Sequence, residues 1–418
     1  MKRIVLGCVL TIVVGCGGAP TLADAGAGGG SSAGGGSGGG VAGGAGGGAG
    51  GGVAGGAGGA GGAGGGVAGG AGGGVAGGAG GGVAGGAGGG TATDGGTPIA
   101  APNETWTWVD FPGSACGNGV ATGIGVNLTS QSTDVVIYLQ GGGACWDNTT
   151  CFVINSAANV SSGYGATQFA SDTSKGASFF DRSRTDNPFR TASFVFVPYC
   201  TGDVHGGDAV QTYNSALPNK KLFHKGRVNL AEFLARLKPT FPAAQHVYLS
   251  GSSAGAFGAQ INYPQVAAAF PSAEVHLLAD SGQMINPSGT LLSTWVASWA
   301  LVNPVGCANC YSDFTKLPQW LAATYPNRRF ALLAYTQDNV LRQFFAYSAV
   351  DYETQTRALL TAVYNPTTHA KYFLLAGTSH TMLGSFFTLT APSGGPTLAT
   401  WVTRWKNGDA AWANVLAP

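Results

Sequence analysis

His246-Val247-Tyr248-Leu249-Ser250 runs directly into Gly251-Ser252-Ser253-Ala254-Gly255-Ala256, so a strand, a tight G-x-S-x-G turn and the start of a helix lie end to end. Gly251 and Gly255 leave no Cβ where such a turn presses on its neighbours, and Ser253 can then occupy a strained backbone with its hydroxyl exposed. Helix signals continue from Ala254 to Phe270, where Phe257, Ile261 and Val266 give a partly apolar face before Pro271 ends it. The N-terminal amides of that helix point at the serine and favour negative charge developing there. A bare G-x-S-x-G is a weak signal in a glycine-rich chain. The strand before it and the helix after it make it a candidate nucleophile turn.

Working outward, six short apolar runs are separated by helical or loop stretches: Val135 to Leu139, Phe194 to Val197, Val247 to Leu249, Val275 to Ala279, Phe330 to Ala334 and Tyr372 to Leu375. That pattern predicts a mainly parallel sheet covered on both faces. In open α/β sheets the chemistry gathers just past the carboxyl ends of strands. Gly141-Gly142-Gly143 follows the first run, Asp203 and His205 the second, Ser253 the third, Asp280 the fourth, Asp338 the fifth and His380 the last.

Nucleophile, acid and histidine in that chain order is the plan of an α/β-hydrolase, and Ser253, Asp338 and His380 supply it. A neutral serine needs a base to take its proton; His380 can do so near neutral pH, with Asp338 fixing its tautomer. Among the six histidines, His246 and His276 sit at strand beginnings, the wrong end of the sheet, and His224 and His369 read as solvated loop residues. His205 is the rival base but precedes the serine in sequence, so it is expected in the pocket instead. Asp280 remains an alternative acid, since it follows the strand next after the nucleophile. Backbone N–H groups of Gly142, Gly143 and Ala254 are the expected oxyanion donors, in the arrangement of an esterase glycine loop. No G-x-x-x-x-G-K is present, so the glycine run does not read as a phosphate loop.

The 418 residues do not all belong to that domain. Residues 1–15 carry Lys2 and Arg3 before an apolar run, the layout of a secretory signal, and Val13-Val14-Gly15-Cys16 has the form of a lipobox, so Cys16 is the expected lipidated residue. From Ala25 to Gly90 there is no charge, aromatic residue or proline, and Val-Ala-Gly-Gly-Ala-Gly-Gly-Gly recurs at Val67, Val75 and Val83. Such units have too little side chain to offset ordering entropy, and residues 16–96 are expected to be a flexible tether. At about 65 residues it would span roughly 40 to 50 Å as a coil. Residues 97–418 form one α/β domain, with a helical cap over about 281–329. A net charge of +1 and 9% charged residues give no basic stripe for nucleic acid. The six cysteines beyond Cys16 are an even set in an exported chain and predict three disulfides; Cys307-Ala308-Asn309-Cys310 has no second C-x-x-C or His pair to complete a metal site.

Leu139 to Cys145 with Trp146 and Cys151, Phe196 to Asp203, Gly251 to Gly255, Ala279 to Gly282 and Gly377 to His380, in that order, resemble the pectin acetylesterase and Notum family of secreted serine hydrolases. The resemblance implies an α/β-hydrolase fold, a triad of Ser253, Asp338 and His380, and an oxyanion hole of Gly142, Gly143 and Ala254. It also implies the pairs Cys116–Cys200, Cys145–Cys151 and Cys307–Cys310, which sequence alone does not select from fifteen connectivities. Where the animal branch often has a bulky aromatic after the paired glycines, this chain has Gly143, with Trp146 only after the cysteine, which predicts a more open pocket mouth. Trp146, Asp203, His205 and Asp280 are the expected pocket residues, and Trp295, Trp299, Phe314 and Trp320 the cap aromatics.

The expected activity is removal of acetyl or other short acyl groups, from polysaccharide, through an acyl-enzyme on Ser253, without cofactor or metal. Longer acyl esters or polyesters are the alternative substrates. An inactive surface-binding module is the alternative of another class, and the intact Ser, Asp and His set argues against it. The expected protein is a monomer and exported, either held at the cell surface or outer membrane only through a lipid anchor at Cys16 or secreted.

Overall fold

Val135 to Leu139 is apolar at all five positions because both of its faces are covered. Val135, Ile137 and Leu139 enter one hydrophobic cluster and Val136 and Tyr138 another, on the opposite side of the sheet. The structure is a computed structural model that describes residues 96–176, 178–214 and 220–418. The expected signal segment, the expected lipidation site at Cys16 and the expected glycine-rich tether lie outside the described residues.

Ten strands are present among the described residues: β1 (Thr107–Phe111), β2 (Thr122–Asn127), β3 (Val135–Leu139), β4 (Ser193–Val197), β5 (Ala209–Tyr213), β6 (Lys220–His224), β7 (His246–Ser252), β8 (Glu274–Asp280), β9 (Phe330–Tyr335) and β10 (Ala370–Leu375). Eight form one sheet in the order β1-β2-β4-β3-β7-β8-β9-β10, and β5 and β6 make a separate antiparallel pair. From β4 to β10 every neighbouring pair is parallel; β1 and β2 continue that sheet antiparallel at one edge. The helices are α1 (Ala166–Ser171), α2 (Gly226–Thr240), α3 (Ala254–Ala269), α4 (Leu291–Trp299), α5 (Lys316–Thr324), α6 (Leu341–Phe344), α7 (Ala349–Leu359) and α8 (Leu398–Asn407). On one face lie Leu230, Phe233 and Leu237 of α2 with Phe257, Ile261 and Val266 of α3. On the other lie Phe169 of α1 with Trp401, Val402 and Trp405 of α8. This is the α/β-hydrolase architecture that the sequence predicts.

All six expected strands form, each within three residues of its expected bounds, and the expected helix over 254–270 is α3. Four strands were not expected. β2 reads Thr-Gly-Ile-Gly-Val-Asn, with glycines where a strand would carry branched residues. The structure explains them: a Cβ at Gly123 would strike the Val109 carbonyl oxygen, and one at Gly125 the Phe169 ring. Residues 281–329 contain α4 and α5, with α5 against α3.

Because the central strands are parallel, the carboxyl ends of β3, β4, β7, β8, β9 and β10 share one edge of the sheet. Every residue proposed from the sequence as catalytic follows one of those ends.

Candidate active site

Ser253 has φ 56° and ψ −126°, a conformation that branched and bulky residues avoid, and the first residue of α3 follows it. The turn is held by contacts that tolerate only glycine. A Cβ at Gly251 would strike the Gly255 carbonyl, one at Gly255 would strike the Leu139 carbonyl oxygen, and one at Gly141 would lie 3.0 Å from Ser253 Cβ. The Ser253 N–H donates to the Asp280 carbonyl at 2.8 Å, and the Ser253 carbonyl accepts from Ala256 and Phe257. Ser253 Oγ has no hydrogen-bond partner among the described residues and opens on a cavity.

Asp338 is fully buried in the turn after β9, where its Oδ1 accepts the N–H groups of Val340 and Leu341 at 3.0 and 2.9 Å. Its carboxylate also takes His380 Nδ1, at 2.8 Å from Oδ2 and 3.0 Å from Oδ1. Nδ1 is thereby the protonated nitrogen, and Nε2 keeps the lone pair a base needs. Asp338 and His380, far apart in the chain, meet as the sequence predicts.

Gly142 and Gly143 adopt φ 156° and 77°, and the space a side chain would need is taken by Tyr199 and Ala158 at the first and by the Ser156 carbonyl oxygen at the second. Ala158 N–H donates to the Gly142 carbonyl at 2.7 Å. The N–H groups of Gly142, Gly143 and Ala254 donate to no acceptor among the described residues. The glycine loop is braced by Cys145–Cys151 and by α4: Trp299 Nε1 donates to the Cys145 carbonyl at 2.8 Å and Ser298 Oγ to the Trp146 carbonyl at 2.9 Å. Cys116–Cys200 and Cys307–Cys310 are the other two bridges, so all three pairings implied by the resemblance are present.

Beside Ser253 lies a small cavity of about 40 Å³, walled by Trp295, Trp299, Phe314, Leu341, Phe344 and Phe345. Every other lining residue is apolar, so the cavity favours a hydrocarbon group. Three of the four expected cap aromatics are there; Trp320 instead packs edge-on against Tyr325. Leu341, Phe344 and Phe345 were missed, although they come directly after Asp338 and a helical turn there returns them to the site.

The four expected pocket residues are corrected by the structure, for none of them lines this cavity. Trp146 stands behind it, 5.4 Å from the Trp295 ring. His205 is buried, its Nε2 paired at 2.8 Å with the Gln140 carbonyl, and burial pushes its pKa down. Asp203, fully buried, accepts from Thr201 Oγ1, Gly207 N–H and Gly226 N–H. Asp280 is fully buried as well and touches no imidazole; its partners are Ser252 Oγ and the Met382 and Leu383 N–H groups. Two further expectations fail. His224 is no surface histidine but lies buried in β6 between the Thr201 carbonyl and Tyr213 hydroxyl, and His369 is half-buried with Nε2 on the Ala322 carbonyl.

His246, Glu274 and His276 bring three metal-ligand side chains together at the opposite edge of the sheet. Arg329 Nη2 already lies 2.8 Å from His276 Nε2, and Arg328 Nη1 3.3 Å from Glu274. Burial, then Arg329, push His276 down to about 2. Two fixed guanidinium groups make this a poor place for another cation.

Residues 109–310 match the family profile described as Pectinacetylesterase. That span includes the glycine loop, Ser253 and Asp280; Asp338 and His380 lie beyond it. The chain is 31% identical over 224 residues to palmitoleoyl-protein carboxylesterase notum2 of Xenopus laevis, covering 49% of this chain and 44% of that one. It is 26% identical over 254 residues to pectin acetylesterase 11 of Arabidopsis thaliana, covering 57% and 63%. The chain thus matches less than two thirds of either relative's length. The fold is similar to that of the Wnt deacylase Notum from Drosophila, with a TM-score of 0.56 at 16% identity over 76% of this chain and 96% of that one. Profile, relatives and fold agree with the blocks read in the sequence, and the domain is similar to the pectin acetylesterase and Notum proteins.

Proposed function

We propose that this domain is an exported serine carboxylesterase that forms an acyl-enzyme on Ser253. The observation that carries the reading is Ser253 itself: its strained turn aims at an apolar cavity an Oγ that, among the described residues, has no partner, beside three amides that likewise have no acceptor there. In the first half-reaction Ser253 Oγ attacks the ester carbonyl while His380 Nε2 takes its proton. The carbonyl oxygen becomes an oxyanion held by the N–H groups of Gly142, Gly143 and Ala254. The His380 imidazolium, stabilised by Asp338, then returns the proton to the departing alcohol. In the second, water attacks the acyl-serine while His380 takes its proton, and His380 returns that proton to Ser253 Oγ as the acid leaves.

The acyl group occupies the apolar cavity, and acetyl or another short acyl chain on polysaccharide is the substrate we favour. Likeness to a plant pectin acetylesterase supports it. The aromatic wall also favours a second reading, a longer acyl ester, in keeping with the relative named a palmitoleoyl-protein carboxylesterase. Three disulfides support an oxidising, extracytoplasmic location, with Cys16 as the proposed lipid anchor. Comparing kcat/KM for acetyl, octanoyl and palmitoyl p-nitrophenyl esters, with acetate release from acetylated pectin and xylan, tests the substrate. Faster turnover of palmitoyl than acetyl esters, with no acetate released, would favour the second reading over the first.

A further inference from the structure

The triad's three strands are not all neighbours. Ser253 follows β7 and His380 follows β10, with β8 and β9 between them in the sheet. Asp338, after β9, fixes the His380 ring but bonds nothing on the serine's side. A second, buried carboxylate does reach both sides. Asp280 ends β8 with no solvent exposure, and its Oδ2 accepts Ser252 Oγ–H at 2.8 Å while its backbone carbonyl accepts Ser253 N–H at 2.8 Å. Toward the histidine, its Oδ1 accepts Met382 N–H at 2.8 Å and its Oδ2 Leu383 N–H at 3.0 Å. Ser281 Oγ adds Thr381 N–H at 3.0 Å, so three consecutive amides after His380 are tied to the end of β8. Thr381 has φ 64°, a left-handed conformation that a non-glycine residue keeps only when its surroundings hold it.

We infer that Asp280 is a positioning residue: its carboxylate ties the nucleophile turn to the histidine loop and so sets the separation of Ser253 from His380. This rests on the esterase reading above. All three groups facing the carboxylate are donors, so the site demands an acceptor at both oxygens, and a carboxamide supplies only one. The Asp280 carboxylate touches neither the cavity nor the His380 ring. Its loss is therefore expected to slow turnover without weakening substrate binding, which a general loosening of the fold would not do selectively.

The test compares wild type with Asp280→Asn, Ser252→Ala, Asp338→Asn and Ser253→Ala on p-nitrophenyl acetate, well below each melting temperature. Misplacement of about 1 Å costs roughly a hundredfold. Asp280→Asn is accordingly expected to lower kcat by about that factor with KM within about threefold. Ser252→Ala removes one donor and keeps the carboxylate, so its kcat falls by roughly three- to tenfold at constant KM, the worth of a single hydrogen bond; this variant decides the matter if Asp280→Asn does not fold. A kcat within twofold of wild type in the folded variants overturns the inference, as does a rise in KM in place of the fall in kcat. A loss in Asp280→Asn equal to that in Asp338→Asn overturns it too, by making Asp280 the triad acid. A wild type no more active than Ser253→Ala removes the esterase reading and the clamp's catalytic role together, whereas an active wild type with an unimpaired Asp280→Asn removes the clamp alone.

Discussion

Gly255→Ala adds one methyl group at the place where α3 crosses the end of β3. That methyl would strike the Leu139 carbonyl oxygen and lie 2.6 Å from the carbonyl carbon and 2.9 Å from the Gln140 oxygen. Carbon atoms in ordinary contact stand roughly 3.5 to 4.0 Å apart, so the end of β3 and the serine turn must separate by about 1 Å. Overpacking of this kind costs about 1 to 3 kcal/mol of stability. The larger consequence is chemical, because β3 runs straight into Gln140 to Gly143. Moving its end carries the expected oxyanion donors away from the carbonyl that Ser253 attacks, and a shift of about 1 Å predicts a roughly hundredfold loss of kcat. The aromatic cavity wall is untouched, so KM on p-nitrophenyl acetate is expected to stay within about threefold. Gly384→Ala is the control, since its new methyl meets nothing within 4 Å. A Gly255→Ala protein that melts cooperatively and keeps kcat within twofold of wild type would refute the reasoning.

Trp295 is buried, stacked on Trp299 at 5.7 Å and edge-on to Phe345 at 5.5 Å. Trp295→Ala is expected to lower stability by about 3 to 5 kcal/mol in denaturant titration. It also enlarges the cavity and should raise the octanoyl-to-acetyl ratio of kcat/KM severalfold; an unchanged ratio would mean the acyl group lies elsewhere. Burial, above all other causes, raises the Asp280 pKa from an ordinary 3.8 to about 6. The folded state then binds the proton more tightly than the unfolded state, so this group favours folding at low pH. That contribution disappears as pH climbs from about 4 to about 6, by at most about 3 kcal/mol. Asp280→Asn should lack this component of the pH dependence in chemical denaturation, and identical wild-type and variant slopes across that window would contradict it.

The parallel core was legible because covering both faces leaves no polar position, and runs such as Val135 to Leu139 stand out in any sequence. Their order then located the strand ends, and with them the glycine loop, Ser253, Asp338 and His380. Edge strands were less visible: β2 trades side chains for glycine where β1 and Phe169 press on it. Burial of polar groups was least visible. His224 lies in a polar stretch that reads as solvated and Asp203 reads as a pocket residue, yet both are buried because Thr201, Tyr213 and nearby backbone groups satisfy them. Such networks arise only when the fold assembles, and they hide the clamp at Asp280 for the same reason. Sequence could offer Asp280 as a rival acid, but its real partners are a neighbouring hydroxyl and two amides from a distant loop.

Intact-mass analysis after treatment with a fluorophosphonate probe bears most directly on Ser253 as the nucleophile. The wild type should gain one probe adduct, mapped by peptide sequencing to Ser253, and Ser253→Ala should gain none. A wild type that takes no adduct, or a Ser253→Ala variant that takes the same one, would contradict the account.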